Sequence, residues 1–493
     1  MSRRREKMKA LAAANKPAAP TITARYDAAT NGRAMRAWAA PSSGPNTATA
    51  GLATIRNRMR DIERNEWAGR SSTRSLVSNI IGTGIVPRFA TKNAAAKKRL
   101  TDLWKAWVPV ADADGVLNFY GLQALVARTF CIGGEAFVRH RPRRLSDGLP
   151  VPLQIQVLEG DFVPLLNADS YTNLPPGNVI RSGIEFDRIG RRVAYWMYRN
   201  HPGDRPLLSD PNPQELTRVP AEFVCHIFDP SRPGQLRGVS DMSTVVAKLK
   251  GIGDFDAAVL TRQQIANLFA LFITQQAPNP ADPIIGTGAG TLALPGDASA
   301  VALEPGIAHT LLPGESVEFS EPPDAGANYA EFMRQQHLGV SAGGGVPYEF
   351  TTGDAKDISD RTLRILVQEF RRVCEQRQWL IFIPLLCERV LGAWARAAEL
   401  AGVVDSSTAA EIPSARWSPQ GWAYIHPTQD VQAKALEVTN GFRSKSSVIG
   451  ERGDDPDDVA QERADDLARD KQHGLEPPAA PAPPQGQPQK AKA

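Results

Sequence analysis

Cysteine is scarce: four residues in 493, at 131, 225, 374 and 387, never as CxxC and never beside a histidine cluster. That excludes a disulfide framework and a cysteine-based zinc site, and reads as four small buried hydrophobes in a reducing compartment. The N-terminus lacks an apolar stretch of the kind that directs secretion. No uninterrupted apolar run approaches about 18 residues, which argues against a membrane span. Catalytic signatures are missing as well. There is no P-loop lysine, GxSxG, HExxH or kinase set, and seven scattered histidines build no site by spacing. One could assemble His226, Asp229 and Asp241 into a catalytic or metal constellation. His226 lies between Val224 and Phe228 in a strand-like run, where a hydrogen-bonded core histidine is the commoner outcome. No enzyme, metal or cofactor is therefore assigned. A net charge of +4 on 57 basic and 53 acidic residues does not select a partner by itself, so its distribution matters more.

One segment has no cation at all. Residues 275–327 contain no Lys or Arg but carry Asp282, Asp297, Glu304, Glu315, Glu318, Glu321 and Asp324, a formal −7. The segment is rich in Pro, Gly and small residues, with β-prone runs at 291–294 and 316–319. A connector of about fifty residues is unusual unless it is a functional module.

What the chain does have is a long helical pattern. Residues 329–402 read as a short helix, a glycine- and turn-rich loop, then one very long helix. Leu363, Leu366, Val367, Phe370, Val373 and Cys374 form an amphipathic stripe. From Trp379 to Leu386 the pattern is apolar nearly all round, with Pro384 inside it, where a kink is expected. A helix of roughly 40 residues spans about 60 Å. That is too long for the core of one compact domain and suggests packing beside copies of itself.

The rest divides around that element. Residues 1–50 begin with a basic cluster, are rich in Ala, Pro, Ser, Thr and Asn and have few large apolar groups, which reads as mostly disordered. An arginine-rich helical stretch from residue 55 ends in the Gly82–Gly84 turn and enters a strand. Residues 119–139 read as a helix, a Gly133-Gly134 stop and a strand. GIEFD and RRVAYWMY read as a hairpin around residues 188–190. A second long helix is expected over 241–274, and small helices over 428–440 and 444–451. Residues 451–470 hold nine acids and three arginines, and residues 476–493 again read as disordered.

Several of these stretches, IGTGI at 81–85, LQ…LEGD at 153–161, GIEFD at 183–187, the His201-Pro202 turn, His226 with RPGQ at 232–235 and Arg237-Gly238, and GVPYE with TGD at 345–354, resemble the portal proteins of tailed bacteriophages of the lambda type. The match departs at 357–360. The resemblance implies an α+β portal fold. Residues 51–245 would be the wing, 246–274 the first stem helix and 275–327 the clip. Residues 328–342 would be the second stem helix, 343–358 the tunnel loop, 359–402 the long kinked helix, 403–470 the crown and 471–493 a tail.

It further implies a dodecameric ring at a capsid vertex, assembled in the host cytoplasm with capsid and scaffold proteins. The ring would conduct double-stranded DNA and dock the terminase large subunit and a head-completion or adaptor protein. Asp354, Lys356, Asp357 and Arg361 would face the channel. Glu315, Glu318, Glu321 and Asp324 would dock partners. Arg232, Arg237, Trp379, Phe382 and Pro384 would lie between subunits. The competing expectation is a minor capsid or head–tail adaptor protein without a channel.

Overall fold

The computed structural model describes residues 43–47, 51–91, 93–171, 173–204, 216–266, 271–275, 315–319, 328–356, 358–422 and 427–475. The chain divides into two units, Met1–Ala48 and Thr49–Ala493. The first contributes one turn, in which the Thr47 N–H donates to the Gly44 carbonyl at 3.2 Å. The rest of the expected arm and most of the expected clip and tail lie outside the described residues.

In the second unit the arginine-rich stretch forms α1 (Leu52–Asn65) and α2 (Trp67–Ile80), separated at Glu66, which is extended. β1 (Val86–Arg88), α3 (Ala94–Trp107) and α4 (Phe119–Gly133) follow, with Asn93 and Asn118 capping the two helices through their side-chain oxygens. Gly134 ends α4 at φ +81°, and a Cβ there would meet the Val239–Ser240 backbone at 2.3 Å. Only glycine fits both the backbone angle and the space.

The chain then enters β2 (Glu135–Pro142), the centre of an antiparallel sheet between β3 (Leu153–Glu159) and β8 (Val224–Phe228). A second antiparallel sheet runs in order through β4 (Val179–Arg181), β5 (Ile184–Phe186), β6 (Arg192–Tyr198) and β7 (Leu216–Pro220). The expected hairpin is its β5–β6 pair, turned where the Gly190 N–H donates to the Asp187 carbonyl at 3.0 Å. The two sheets share a core of Phe137, Leu158 and Val224 against Ile184, Tyr195, Met197 and Val219.

α5 (Val246–Ala266) packs beside α6 (Tyr329–Gly344), with Phe255 and Phe332 centroids 5.3 Å apart. Below them Met59 and Ile62 of α1 meet Leu249, Ile252 and Val340. After α7 (Tyr348–Thr352) comes a continuous helical rod: α8 (Asp360–Arg377), a π-helical stretch Gln378–Cys387, and α9 (Glu388–Leu400). The rod's second half is set in the main core. Phe382 lies 5.5 Å from Phe130, and Trp394 lies 5.3 Å from Trp104, which itself stacks near Trp107 and Phe119. α10 (Ser406–Glu411) leads to β11 (Arg416–Ser418), which pairs antiparallel with β1. α11 (Pro427–Thr439), α12 (Lys445–Glu451) and α13 (Pro456–Gln472) close the described chain. No helix of the described residues is long and apolar enough to cross a membrane.

Helices and sheets are both present in separate layers, an α+β fold. Four expectations need correction. The helix expected over 241–274 opens with a 3-10 turn, and its α-helix ends at Ala266; Leu271–Gln275 is a strand, β9, paired with β10 (Glu315–Phe319). An apolar run such as 271–274 suits either state, and a strand partner decided it. At Pro384, where α-helical winding with a kink was expected, the winding is π-helical over ten residues. A widened turn leaves room for a ring that lacks an N–H. The segment 343–358 is not all loop, because α7 sits inside it. Finally, Arg237 and Phe382, expected between subunits, are wholly buried within one subunit.

Candidate functional site

Glu135 is the first residue of β2, aimed inward by the Gly133-Gly134 turn. It is fully buried, and so is Arg237, while Arg56 of α1 is 2 % exposed. Arg237 Nη2 donates to Glu135 Oε1 at 2.6 Å and Nε donates to Oε2 at 3.0 Å. The remaining Arg237 donors reach the carbonyls of Val163 and Ser182, each at 2.9 Å, and Gly160 at 2.8 Å. Arg56 also donates to Glu135, and the Gly238 N–H adds a bond at 2.9 Å. A buried carboxylate is tolerated only with such partners. Burial pushes its pKa up, but Arg237, the His226 hydrogen bond and Arg56 outweigh that and hold it far below the usual carboxylate range.

His226 of β8 completes the knot. Arg192 Nη1, always a donor, lies 3.1 Å from its Nδ1, so Nε2 carries the proton and donates to Glu135 at 2.9 Å. The ring is sandwiched between Phe137 and Phe228 at 4.3 and 4.4 Å. Burial lowers its pKa to about 4 in spite of Glu135, so the contact is a hydrogen bond from a neutral imidazole rather than an ion pair. The core-histidine expectation describes it. Glu135 itself was not singled out by sequence; an acid at the head of a strand buried on both faces was the available signal.

Beside the knot, Glu159, Asp161 and His201 bring ligand atoms together, yet the group is already satisfied. Arg60 bridges both carboxylates, at 2.6 Å from Glu159. The Gly203 N–H donates to His201 Nδ1 at 3.0 Å, which leaves Nε2 protonated toward Glu159 at 3.2 Å and without a lone pair for a metal.

The second feature is the segment between α6 and α8. α7 is pinned to α2: Ser72 Oγ and Thr351 Oγ1 lie 3.1 Å apart, the Ser71 hydroxyl donates to the Phe350 carbonyl at 3.2 Å, and Phe350 packs on Phe370 at 5.3 Å. What remains outside is 353–359. Asp354 is held there by the Lys356 N–H at 3.0 Å and the Tyr348 hydroxyl at 3.1 Å, which lower its pKa. Ser359 caps α8 by accepting from the Thr362 N–H at 3.2 Å. Lys356 and Arg361 are exposed. Asp357, Glu321 and Asp324 lie outside the described residues, and Glu315 and Glu318 fall in β10.

The third feature is uncovered apolar surface. Ile365, Trp379 and Leu380 on the rod are 61, 48 and 64 % exposed, and Phe255, Leu260, Phe332 and Leu338 on α5 and α6 are 39–60 % exposed. Pro384 is half-buried, and Arg232 stands exposed in its loop, its N–H donating to Gln235 Oε1 at 3.3 Å.

A satisfied charge knot and outward-facing apolar helices define a subunit built for assembly. The chain belongs to the lambda family of phage portal proteins, whose family description matches residues 31–378. It is 26 % identical over 489 residues to the probable portal protein of Halomonas phage phiHAP-1, covering 93 % of this chain and 89 % of that one. It is 22 % identical over 322 residues to portal protein B of Escherichia phage lambda, covering 61 % of this chain and 60 % of that one. Among solved structures, a chain in the neck of a native gene transfer agent particle aligns at 15 % identity and a TM-score of 0.44, covering 86 % and 98 %. Membership makes the protein a structural component of the virion, working as an oligomer with capsid components, and not an enzyme.

Proposed function

We propose that copies of this subunit close into a dodecameric ring at one capsid vertex, assembled in the host cytoplasm. The ring conducts double-stranded DNA during packaging and ejection, and docks the terminase large subunit and then a head-completion protein. The observation that carries this reading is the apolar surface left open on the rod and on α5 and α6. Seven large side chains there are at least 39 % exposed, more than a soluble monomer leaves in bands along its helices. Neighbouring copies are the natural cover.

Trp379 and the half-buried Pro384 lie on the rod's outer side, and Arg232 stands on an exposed loop, so these three remain interface candidates. Lys356, on the short segment between α7 and α8, and Arg361, in the first turn of α8, are the cations offered to phosphates passing along the axis, with Asp354 shaping the turn. Glu315, Glu318, Glu321 and Asp324 supply the acidic docking surface. Light scattering and electron microscopy of the purified protein test the ring. Closed rings are expected, and a monomer at every concentration and salt would overturn the reading.

A further inference from the structure

The C-terminal helices α11, α12 and α13 contain no buried residue. Large apolar side chains on and around them, Val431, Leu436, Phe442 and Leu467, are 46–79 % exposed. They are tied to one another, since Lys434 and Arg443 both pair with Glu451, at 2.9 and 2.8 Å. Toward the body their closest approach is at the end of α12, where the Gly421 N–H donates to the Arg452 carbonyl at 3.4 Å. Two cavities, of about 620 and 770 Å³, lie between them and the π-helical stretch, and Trp379, Trp417 and Ser418 line both.

What bridges the gap is charge. The sequence DDPDD at 454–458 starts α13. Lys97 of α3 pairs with Asp457 and lies 3.7 Å from Asp455, and Lys105 lies 3.8 Å from Asp458. Arg88 donates to the Gly450 carbonyl at 3.0 Å, and Arg371 sits over the Trp422 ring at 5.5 Å. Partial burial pulls the Lys97 ammonium down, but its bonds to Asp457 and Asp455 leave its pKa raised. The Lys105, Asp457 and Asp458 side chains are 63–76 % exposed, so the Lys105–Asp458 and Lys97–Asp457 pairs are weak and screened by salt, whereas Lys97 and Asp455, 24 and 22 % exposed, are screened less.

We propose that α11–α13 form a charge-latched flap over the π-helical stretch, held by Lys97 and Lys105 against Asp455, Asp457 and Asp458 and released by ionic strength. Its further ties to the body include the Gly421 N–H bond to the Arg452 carbonyl at 3.4 Å and the Arg88 and Arg371 contacts. Opening exposes Trp379, Pro384 and Trp417, so the rod's outer face changes character when the latch lets go. The inference stands on the subunit alone and holds whatever the copy number of the assembly.

Ser418, 5 % exposed beneath the flap, offers the readout. All four native cysteines are buried, and burial raises the pKa of Cys131, Cys225 and Cys374 to about 12 and pushes that of Cys387 up as well, so a thiol in Ser418→Cys reports almost alone. Its modification by N-ethylmaleimide, an uncharged reagent, is followed in the assembled protein. The rate is expected to rise about three- to tenfold between about 0.1 M and about 1 M salt, the effect of weakening the two pairs that have exposed partners. Adding Lys97→Glu should give the fast rate at low salt, and combining it with Asp457→Lys should slow it again. Ala415→Cys, on the same cavity wall, serves if Ser418→Cys does not fold. A rate that ignores salt, or a salt effect that persists unchanged with Lys97→Glu and Lys105→Glu together, would overturn the latch.

Discussion

Glu135 is the residue on which most of the wing's polar accounting depends, since α1, β2, β8 and the loop carrying Arg237 all meet at its two oxygens. Removing one partner of such a buried group strands the others without water. Glu135→Gln keeps the shape, takes from Arg237 its paired carboxylate and leaves Arg56 with Asp161 at 3.8 Å. It should cost about 3–5 kcal/mol, read as a lower urea midpoint of the isolated subunit; a change under about 1 kcal/mol would show that water reaches the knot.

The same residues set the acid response. His226 has a folded pKa near 4 against an ordinary 6.5. Its neutral form is the folded one, so its contribution is complete above about 6.5 and is lost as pH falls toward 4, when unfolded imidazole takes up protons that the buried ring refuses. Glu135, held below its ordinary 4.5, adds a further loss at lower pH still. Buried His140, also near 4, acts in the same direction as His226. His226→Gln, which can still accept from Arg192 and donate to Glu135, should therefore reduce the slope of stability against pH between 6.5 and 4 while leaving the steeper fall below 4.5. An unchanged slope would mean that His140 and His337, whose pKa burial also lowers, carry it.

At the scale of elements, the π-helical stretch is where the rod meets the core, and Pro384 stands within it. Pro384→Ala restores a backbone donor and removes the ring's clash with the preceding turn. The expected result is α-helical winding through 378–387, which advances α8 by a residue relative to α9 and turns Ile365 and Leu380 off their present faces. Ring closure should suffer more than subunit stability. Electron microscopy of the variant checks both, and intact rings with the π winding retained would show that packing around Phe382 and Leu386 sets it, not proline.

This element also marks how far sequence reasoning reached. The rod's length and its amphipathic first half were legible because helical periodicity is a local signal. So were the Gly133-Gly134 stop and the hairpin at 188–190. The winding was not, because a proline in an apolar helix is answered by kinking or by widening according to what packs on it. β9 was missed because an apolar run of five residues has no period of its own. Arg237 was misplaced because its partner lies 102 positions away, and no spacing rule pairs residues that distant.

For the whole molecule, charge is the quantity to follow. The +4 of the chain is the remainder of unlike regions, with seven acids and no Lys or Arg over 275–327. A duplex binds protein largely by exchanging its counterions for Lys and Arg. A portal must let DNA move, and every cation along the path would add grip and therefore friction. In the proposed ring, these acids repeated around the axis would repel a duplex within about 8 Å at physiological salt, while offering a salt-sensitive surface to basic faces of the proposed terminase and head-completion partners. The clip should thus bind DNA weakly and its protein partners well. Changing Glu315→Lys, Glu318→Lys and Glu321→Lys together reverses the local sign without touching the buried knot or the rod. The ring should still close. Its capture of the terminase large subunit should weaken, its retention of duplex DNA on a filter should rise, and packaging should slow because the clip now holds what it ought to release. Measured side by side, these outcomes separate the two roles. Normal terminase capture with slow packaging would leave only the sliding role, and normal packaging with weak capture only the docking role. If capture and packaging both match the unaltered protein, the acids of the clip serve neither.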